Sequence, residues 1–198
     1  MKIFNIHLKV LIGFAIAVAG IGFFLYTTYT NSQLSITDSQ NIDRELKIMR
    51  LVEDLLDASQ NIETSYRGYV ITGDDKYLEP SKSAFSSIPN NINELIEICK
   101  NDSITYKLAS NLKEELNAKI IFAQKIINLR KYGKTNEAYA MISTNRGIAI
   151  MEKIKSATDQ LEKRGRLILN ESNRKKEIIA NETKQNFIVL SLVLLFQM

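Results

Sequence analysis

The sequence predicts an all-α protein: an antiparallel up-down-up-down four-helix bundle whose long first and last helices continue into transmembrane helices. Apolar residues recur at steps of three and four along most of the chain, which is the period of an amphipathic helix. Helix-breaking residues are scarce, with eight glycines and two prolines in 198 residues. An uncharged apolar stretch near the N-terminus is also long enough to cross a bilayer.

The composition narrows the classes of protein that need to be considered. With 45% hydrophobic and 24% charged residues, the chain is neither disordered nor wholly embedded in a membrane. The formal net charge of +4 is modest, and basic residues alternate with acidic ones, so we expect no nucleic-acid partner. The single cysteine, Cys99, excludes an internal disulfide and is expected to pack as a small apolar side chain.

The first element is a membrane helix. Residues 10–30 contain no charge, and about twenty helical residues span the ~30 Å hydrocarbon core. Lys2 and Lys9 precede it, which places residues 1–9 in the cytoplasm and residues 31–186 outside an inner or cytoplasmic membrane. A cleaved signal peptide is the alternative, because Ala17-Val18-Ala19 resembles a cleavage site, but the apolar stretch continues beyond it.

The helix that follows continues from Asn31 without a breaker as far as Gly68. Its apolar positions step by three and four, which predicts one long amphipathic helix continuous with the membrane helix. These positions are Ile42, Leu46, Met49, Val52, Leu56, Ile62, Tyr66 and Tyr69.

A tight reversal ends this helix. Glu63 and Arg67 are four residues apart with the acid first, the favoured order for a helical ion pair. Gly73 is placed to adopt the left-handed conformation that ends helices. Asp74 can accept hydrogen bonds from the next helix, whose first turn suits Pro80. A well-capped helical hairpin with no further role is the simplest interpretation of these residues.

Two more helices complete the middle of the predicted bundle. The second runs to about Lys100, and Pro89 should kink it or split it near Ser87. The third ends at Tyr132-Gly133, and a short helical piece follows at residues 136–142. The apolar seam of the third helix comprises Leu108, Leu112, Leu116, Ile120, Ala123 and Ile127.

The last helix begins near Gly147 and shows no stop signal. Its inward positions include the small or polar residues Thr158, Gly165 and Ser172, to which we assign signal transmission because small residues let a helix slide at low cost. Residues 187–198 are apolar but reach only about 18 Å. We expect them to be the start of a second transmembrane helix in a truncated chain.

Catalytic chemistry is not indicated. No cluster of histidine, cysteine and carboxylate has metal-ligand spacing, and neither a glycine-rich phosphate loop nor a nucleophile–base pair is recognisable. We therefore expect no enzymatic activity in this chain, no cofactor and no metal. The basic clusters at residues 163–166 and 174–176 are interpreted as solvated faces, with membrane lipid headgroups as the alternative partner.

The reversal also carries a longer pattern, Glu-x-x-x-Arg-Gly-Tyr-x-x-Thr-Gly-Asp-x-x-Tyr-Leu-x-Pro, from Glu63 to Pro80. This pattern resembles the signature of the third class of CHASE domains, which are extracellular sensory domains associated with cyclases and histidine kinases. A second, shorter match is Asn145-Arg146-Gly147 followed by Met151-Glu152-Lys153-Ile154, which resembles the start of the last helix of that family. The resemblance covers roughly residues 31–186.

The resemblance implies the input module of a transmembrane receptor, with a sensor histidine kinase as the first expectation and a cyclase as the second. It also implies a parallel homodimer. It does not imply a ligand, because the family has no shared ligand to transfer, so an unknown extracellular or periplasmic ligand is expected only if the domain senses a molecule. A chemoreceptor ligand-binding bundle and a membrane-anchored structural or adaptor coiled coil stay open as alternatives. The residues assigned to the signature and to sensing are Glu63, Arg67, Gly68, Tyr69, Thr72, Gly73, Asp74, Tyr77 and Leu78.

Overall fold

The computed structural model describes the backbone of residues 2–196 and the side chains of residues 11–34, 36 and 38–192. Residues 1, 197 and 198, which belong to the predicted N-terminus and second membrane span, lie outside the described residues. Residues 2–196 contain no β-strand, which confirms the all-α class. The helices are α1 (Lys2–Thr72), α2 (Glu79–Cys99), α3 (Ser103–Lys131), α4 (Thr135–Ile142) and α5 (Arg146–Phe196), with a short 3-10 helix at Asp75–Leu78.

The chain divides into two units. The terminal unit comprises residues 1–43 and 168–198, and the central unit comprises residues 44–167. In the terminal unit the Phe24 and Phe187 rings lie 6.1 Å apart, and the Asn31 side-chain amide donates to the Thr183 hydroxyl at 3.0 Å. Among the described residues one helix, the start of α1, is long and apolar enough to cross a membrane, and its apolar stretch is not buried.

The central unit is built around one apolar core. All four long helices contribute to it, together with α4. Removing a large aliphatic side chain from water stabilises the fold by about 1.5–3 kcal/mol, so this core is the main source of the unit's stability. Fully buried members include Ile48, Val52, Leu55 and Ile62 of α1, Leu95 of α2, Leu112, Leu116 and Ile126 of α3, and Ile154 of α5.

The apolar face of α1 differs in part from the predicted one. Val52 is buried as expected, but Leu46 is 44% exposed, and the face is extended by Ile48 and Leu55. In this segment apolar residues occupy adjacent positions, so two overlapping stripes satisfy the same helical period. The choice between them depends on where the neighbouring helices lie.

The third helix shows a similar partial agreement. Leu112, Leu116 and Ala123 are buried as predicted, whereas Leu108, Ile120 and Ile127 are partly buried at the edge of the core. The helix also buries residues that the predicted seam omitted, which are Thr105, Ala109, Lys119, Phe122 and Ile126.

The predicted ends of the helices are confirmed at the reversal. Gly73 has a φ of 71°, and its N–H donates to the Tyr69 carbonyl at 2.8 Å. The Asp74 carboxylate accepts from the Lys76 N–H at 2.9 Å and so caps the 3-10 helix. Local sequence alone determines these contacts, because capping residues act within three or four positions.

The predicted split of the second helix near Ser87 is wrong, while a kink at Pro89 stays a prediction. Helix α2 runs as one element from Glu79 to Cys99 with Pro89 inside it. Pro89 itself is exposed, whereas Ile88 and Ile92 are buried. Pro89 thus lies beside the buried stripe and not within it, and burial of that stripe keeps the helix continuous.

Candidate functional site

The signature residues build a close contact between α1 and the 3-10 helix. The Tyr77 ring lies directly against Gly68, where an added Cβ would overlap it. The Thr72 hydroxyl donates to the Gly68 carbonyl at 2.8 Å and accepts from the Asp74 N–H at 3.1 Å. Gly68 is therefore required for a steric reason, because the chain folds back over this point.

The other signature residues are also accounted for in this reversal. Tyr69 is buried, and Leu78 is half-buried with its carbonyl accepting from the Ser81 hydroxyl at 2.8 Å. The turn is thus shaped by five signature residues, Tyr69, Thr72, Gly73, Asp74 and Leu78. The other four signature residues instead line one cavity; they are Glu63, Arg67, Gly68 and Tyr77.

A cluster of three charged residues lies beside that cavity, and we call Glu63, Arg67 and Lys119 the Glu63 cluster. The predicted ion pair is present, with Arg67 Nη2 and Glu63 Oε1 2.7 Å apart. The second carboxylate oxygen of Glu63 lies 2.7 Å from Lys119 Nζ on α3. The Lys119 side chain is 0% exposed, and its ammonium lies 5.6 Å from the centre of the Tyr66 ring, within cation–π range.

Lys119 is the member of the cluster that sequence reasoning missed. It lies three residues after Leu116 and four before Ala123, both of them buried. A lysine at a core position of an apolar stripe signals a buried counter-charge, because an unpaired ammonium is strongly disfavoured in the core. Its partner Glu63 could not be identified from sequence, since the two residues are 56 positions apart.

Burial sets the protonation behaviour of this region. It lowers the pKa of Lys119, and the Glu63 carboxylate opposes that shift. Burial raises the pKa of Tyr66, the nearby Glu63 charge raises it further, and Arg67 acts in the opposite direction. The Arg67 Nε group is buried without a hydrogen-bond partner, so the guanidinium keeps unused donor capacity.

The cavity has a volume of about 660 Å³ and lies within the central unit. Helix α1 contributes residues between Gln60 and Gly68, the 3-10 helix contributes Tyr77, and α5 contributes residues between Ile148 and Lys155. A volume of this size is typical of sites that bind small molecules. Its walls come from three elements that are separate in the sequence.

The start of α5 is fixed against the same region. Gly147 is buried, and a Cβ added there would lie 2.8 Å from the Tyr66 hydroxyl oxygen and 3.0 Å from Phe122 Cε1. The Tyr66 and Phe122 rings pack edge to face with centroids 6.0 Å apart. Asn145 adopts a left-handed φ of 57°, so the Asn-Arg-Gly motif turns the chain and brings α5 close to this aromatic pair.

A second polar contact joins α5 to the turn between α2 and α3. Arg164 donates to Asp102 Oδ2 from Nη2 at 2.7 Å and from Nε at 3.2 Å, and Nε also lies 2.9 Å from the Thr105 hydroxyl oxygen. Burial alone would raise the pKa of Asp102, but the hydrogen bonds from Arg164 and Thr105 lower it to about 2. The interpretation of Arg164 as part of a solvated face is therefore wrong.

The three positions assigned to signal transmission are buried. The Thr158 hydroxyl donates to the Lys155 carbonyl at 2.9 Å within α5. A Cβ added to Gly165 would lie 3.3 Å from Met49 Cγ and 3.7 Å from the buried carboxylate of Glu45. Ser172 is buried in the terminal unit. Their role in transmission stays a prediction.

The described side chains do not bring together three metal-binding groups from histidine, cysteine, aspartate or glutamate. The cavity combines charges of the Glu63 cluster with apolar side chains, a combination that is common in small-molecule sites.

Comparison with known proteins gives one family match: the model of the CHASE3 domain matches residues 38–175, well over half of the chain. The matched range includes the pattern from Glu63 to Pro80 and the motif at residues 145–154. Searches of curated proteins and of solved structures found no match.

Proposed function

Because the chain belongs to the CHASE3 domain family, whose members are extracytoplasmic sensory domains of signalling receptors, we propose that it is the input module of a transmembrane sensor histidine kinase. The family match confirms the resemblance that the pattern from Glu63 to Pro80 indicated. The observation that carries the proposal is the cavity beside the Glu63 cluster, because α1 and α5 both line it.

In this proposal residues 10–30 cross the membrane, residues 1–9 are cytoplasmic, and residues 31–186 form the extracytoplasmic part. The four long helices run up, down, up and down, and residues 187–198 begin the second crossing. The apolar start of α1 supports the first crossing. Catalysis then belongs to an output region beyond this chain, and the sensory part itself needs no cofactor, metal or nucleic acid.

Transmission through α5 follows from the continuity of that helix. It lines the cavity between Ile148 and Lys155 and runs as one element to Phe196. A ligand that contacts both walls would favour one position of α5 against α1. Shifts of about 1–2 Å are typical of helices that carry such signals, and the small residue Gly165 gives α5 room for such a shift.

An anchored structural coiled coil without a ligand is the alternative from a different class. The buried pair of Lys119 and Glu63 favours the sensory function, because a purely structural bundle gains more from apolar side chains of similar size. A chemoreceptor bundle differs from the proposed receptor only in the output region.

The test uses the chain fused through a complete second membrane helix to a reporter kinase domain. Gly165→Leu should bias output by a coupling of roughly 1–3 kcal/mol while the domain stays folded, because leucine would crowd Met49 and the Glu45 carboxylate. Ser156→Leu, on the exposed face of the same helix, is the matched control. Wild-type output from a folded Gly165→Leu fusion would contradict transmission through α5.

A further inference from the structure

We propose that the cavity beside the Glu63 cluster binds a small monocarboxylate with a compact apolar body, and that Arg67 holds its carboxylate group. This inference rests on the proposed sensory function and names the chemical class of the signal. Three observations support it: the charge balance of the cluster, the exposure of Arg67 and the apolar side chains that line the cavity.

The Glu63 cluster carries a surplus positive charge. Each carboxylate oxygen of Glu63 already lies 2.7 Å from a cation, one from Arg67 and one from Lys119. Two positive groups and one negative group leave a net charge of +1. A ligand with a single negative charge, bound at the exposed Arg67, restores neutrality at the cavity wall.

Arg67 is the cation that a ligand can reach. Lys119 is 0% exposed, whereas the Arg67 side chain is 41% exposed and lines the cavity. Its Nη2 group binds Glu63 and its Nε atom is enclosed, so a ligand in the cavity would meet the outer Nη edge of the guanidinium. A guanidinium presents five N–H donors in a planar fork, which matches the two oxygens of a carboxylate.

The remaining charges argue against dianions and cations. Glu152 and Lys155 lie on the α5 wall, are both exposed and have opposite signs, so together they add no net charge. A ligand ammonium would find the Glu63 carboxylate already occupied at both oxygens. A second negative charge on the ligand would exceed the surplus of one.

The body of the ligand is predicted from the rest of the wall. The Tyr77 ring, Ile148 and Met151 give the cavity its apolar lining. Tyr77 is fixed by its contact with Gly68, so its ring offers a rigid surface for an aromatic or branched group. Small-molecule sites commonly combine such apolar walls with a few polar groups that orient the ligand.

The experiment measures thermal unfolding of the full 198-residue chain in lipid nanodiscs. The probes are phenylacetate, its neutral isostere 2-phenylacetamide and the cation phenethylamine. Phenylacetate should raise the unfolding temperature with saturation, because a ligand that binds the native state stabilises it by mass action. The amide and the amine should produce no saturable shift.

Arg67→Gln should weaken phenylacetate binding by about tenfold or more, since a charged hydrogen-bonding partner is lost. Lys76→Gln, at a variable position of the pattern and outside the cavity lining, should bind phenylacetate like the wild type. Arg67→Lys keeps the positive charge but loses the planar guanidinium, so its affinity for phenylacetate should lie between those of Arg67→Gln and Lys76→Gln. Because two Arg67 variants are compared, a folding defect of one does not decide the result.

Equal shifts with phenylacetate and phenylacetamide, unweakened binding to Arg67→Gln, or no saturable shift with phenylacetate would each overturn the inference. The reporter fusion separates this failure from failure of the sensory function. If Gly165→Leu changes output but phenylacetate does not bind, the ligand class is wrong and the receptor function stands.

Discussion

Glu63 joins two cations in very different surroundings. Arg67 on one side is 41% exposed, and Lys119 on the other is 0% exposed. An exposed ion pair contributes at most about 1 kcal/mol, because water and salt screen it. A buried charge that loses its counter-ion costs several times more. The two bonds of this one carboxylate therefore have unequal energetic weight.

The first prediction compares the two bonds. Glu63→Gln should lower the free energy of unfolding by about 3 kcal/mol, because Lys119 stays charged without a counter-ion. Arg67→Gln should lower it by less than about 1 kcal/mol, because Glu63 keeps its bond to Lys119. Urea unfolding followed by circular dichroism measures both changes.

The control for this comparison is a double variant. Lys119→Met removes the buried charge at similar length, so Glu63→Gln/Lys119→Met should recover much of the stability that Glu63→Gln loses. A double variant that is no more stable than Glu63→Gln would show that the ammonium of Lys119 is not the source of the loss.

The second prediction concerns Asp102, whose pKa is lowered from 3.8 to about 2. A carboxylate with a lowered pKa stabilises the fold above its unfolded pKa and loses that effect as pH falls through its folded pKa. Asp102→Asn should therefore be about 1–2 kcal/mol less stable than the wild type at pH 7. The difference should shrink between pH 3.8 and about 2.

Asparagine also caps helices, so this substitution keeps the cap of α3 and removes the charge. Arg164→Gln removes the same pair from the opposite side and should show the same dependence on pH. Stability curves that stay parallel from pH 7 to pH 2 would contradict the assignment of this effect to the Arg164–Asp102 pair.

At the scale of the helices, local signals were predicted more accurately than contacts between elements. The end of α1 at Gly73 and the cap by Asp74 depend on neighbouring residues and follow from the sequence. The partners of Lys119 and Arg164 lie 56 and 62 residues away, and a single sequence carries no signal for such pairs. The turn at Gly73 and Asp74 was thus predictable from local sequence, while the charge balance of the cavity needed the structure.

The third prediction tests the contact between α1 and the 3-10 helix. The substitution Gly68→Ala should stabilise the helix by about 1 kcal/mol through higher helix propensity. Its added Cβ, however, would overlap the Tyr77 ring. In the Tyr77→Ala background Gly68→Ala should therefore be stabilising, whereas in the wild type it should be neutral or destabilising. The coupling between the two sites should be about 1–3 kcal/mol by a double-mutant cycle in urea, and additive effects would contradict the contact.

At the scale of the molecule, the two units use apolar side chains differently. The central unit buries them in one core, whereas the terminal unit leaves most of residues 11–25 exposed. Leu34 is 56% exposed and Ile36 is 51% exposed, directly after the apolar stretch. Exposed apolar residues at such positions suit lipid or a second copy of the chain.

The fourth prediction follows from the proposed parallel homodimer. Single cysteines along residues 31–41 should form intermolecular disulfides in membranes at positions three or four apart, the period of a helical interface. Cys99→Ala is the background for these variants, although burial already raises the pKa of the native thiol to about 11. Ser83→Cys, exposed on α2, is the control. Without a cross-link at any position from 31 to 41, the dimer proposal would be lost.

The complete burial of Lys119 also makes its amine a reporter of conformational opening. An acylating reagent can modify Lys119 only while the central unit is open, so its labelling rate is the product of the opening equilibrium and the intrinsic reactivity of an exposed amine. Relative to Lys82, which is 62% exposed, Lys119 should react more slowly by a factor on the order of 10³ or more. Peptide mass spectrometry resolves the two sites within one sample, and a ligand bound in the cavity should slow labelling at Lys119 but not at Lys82.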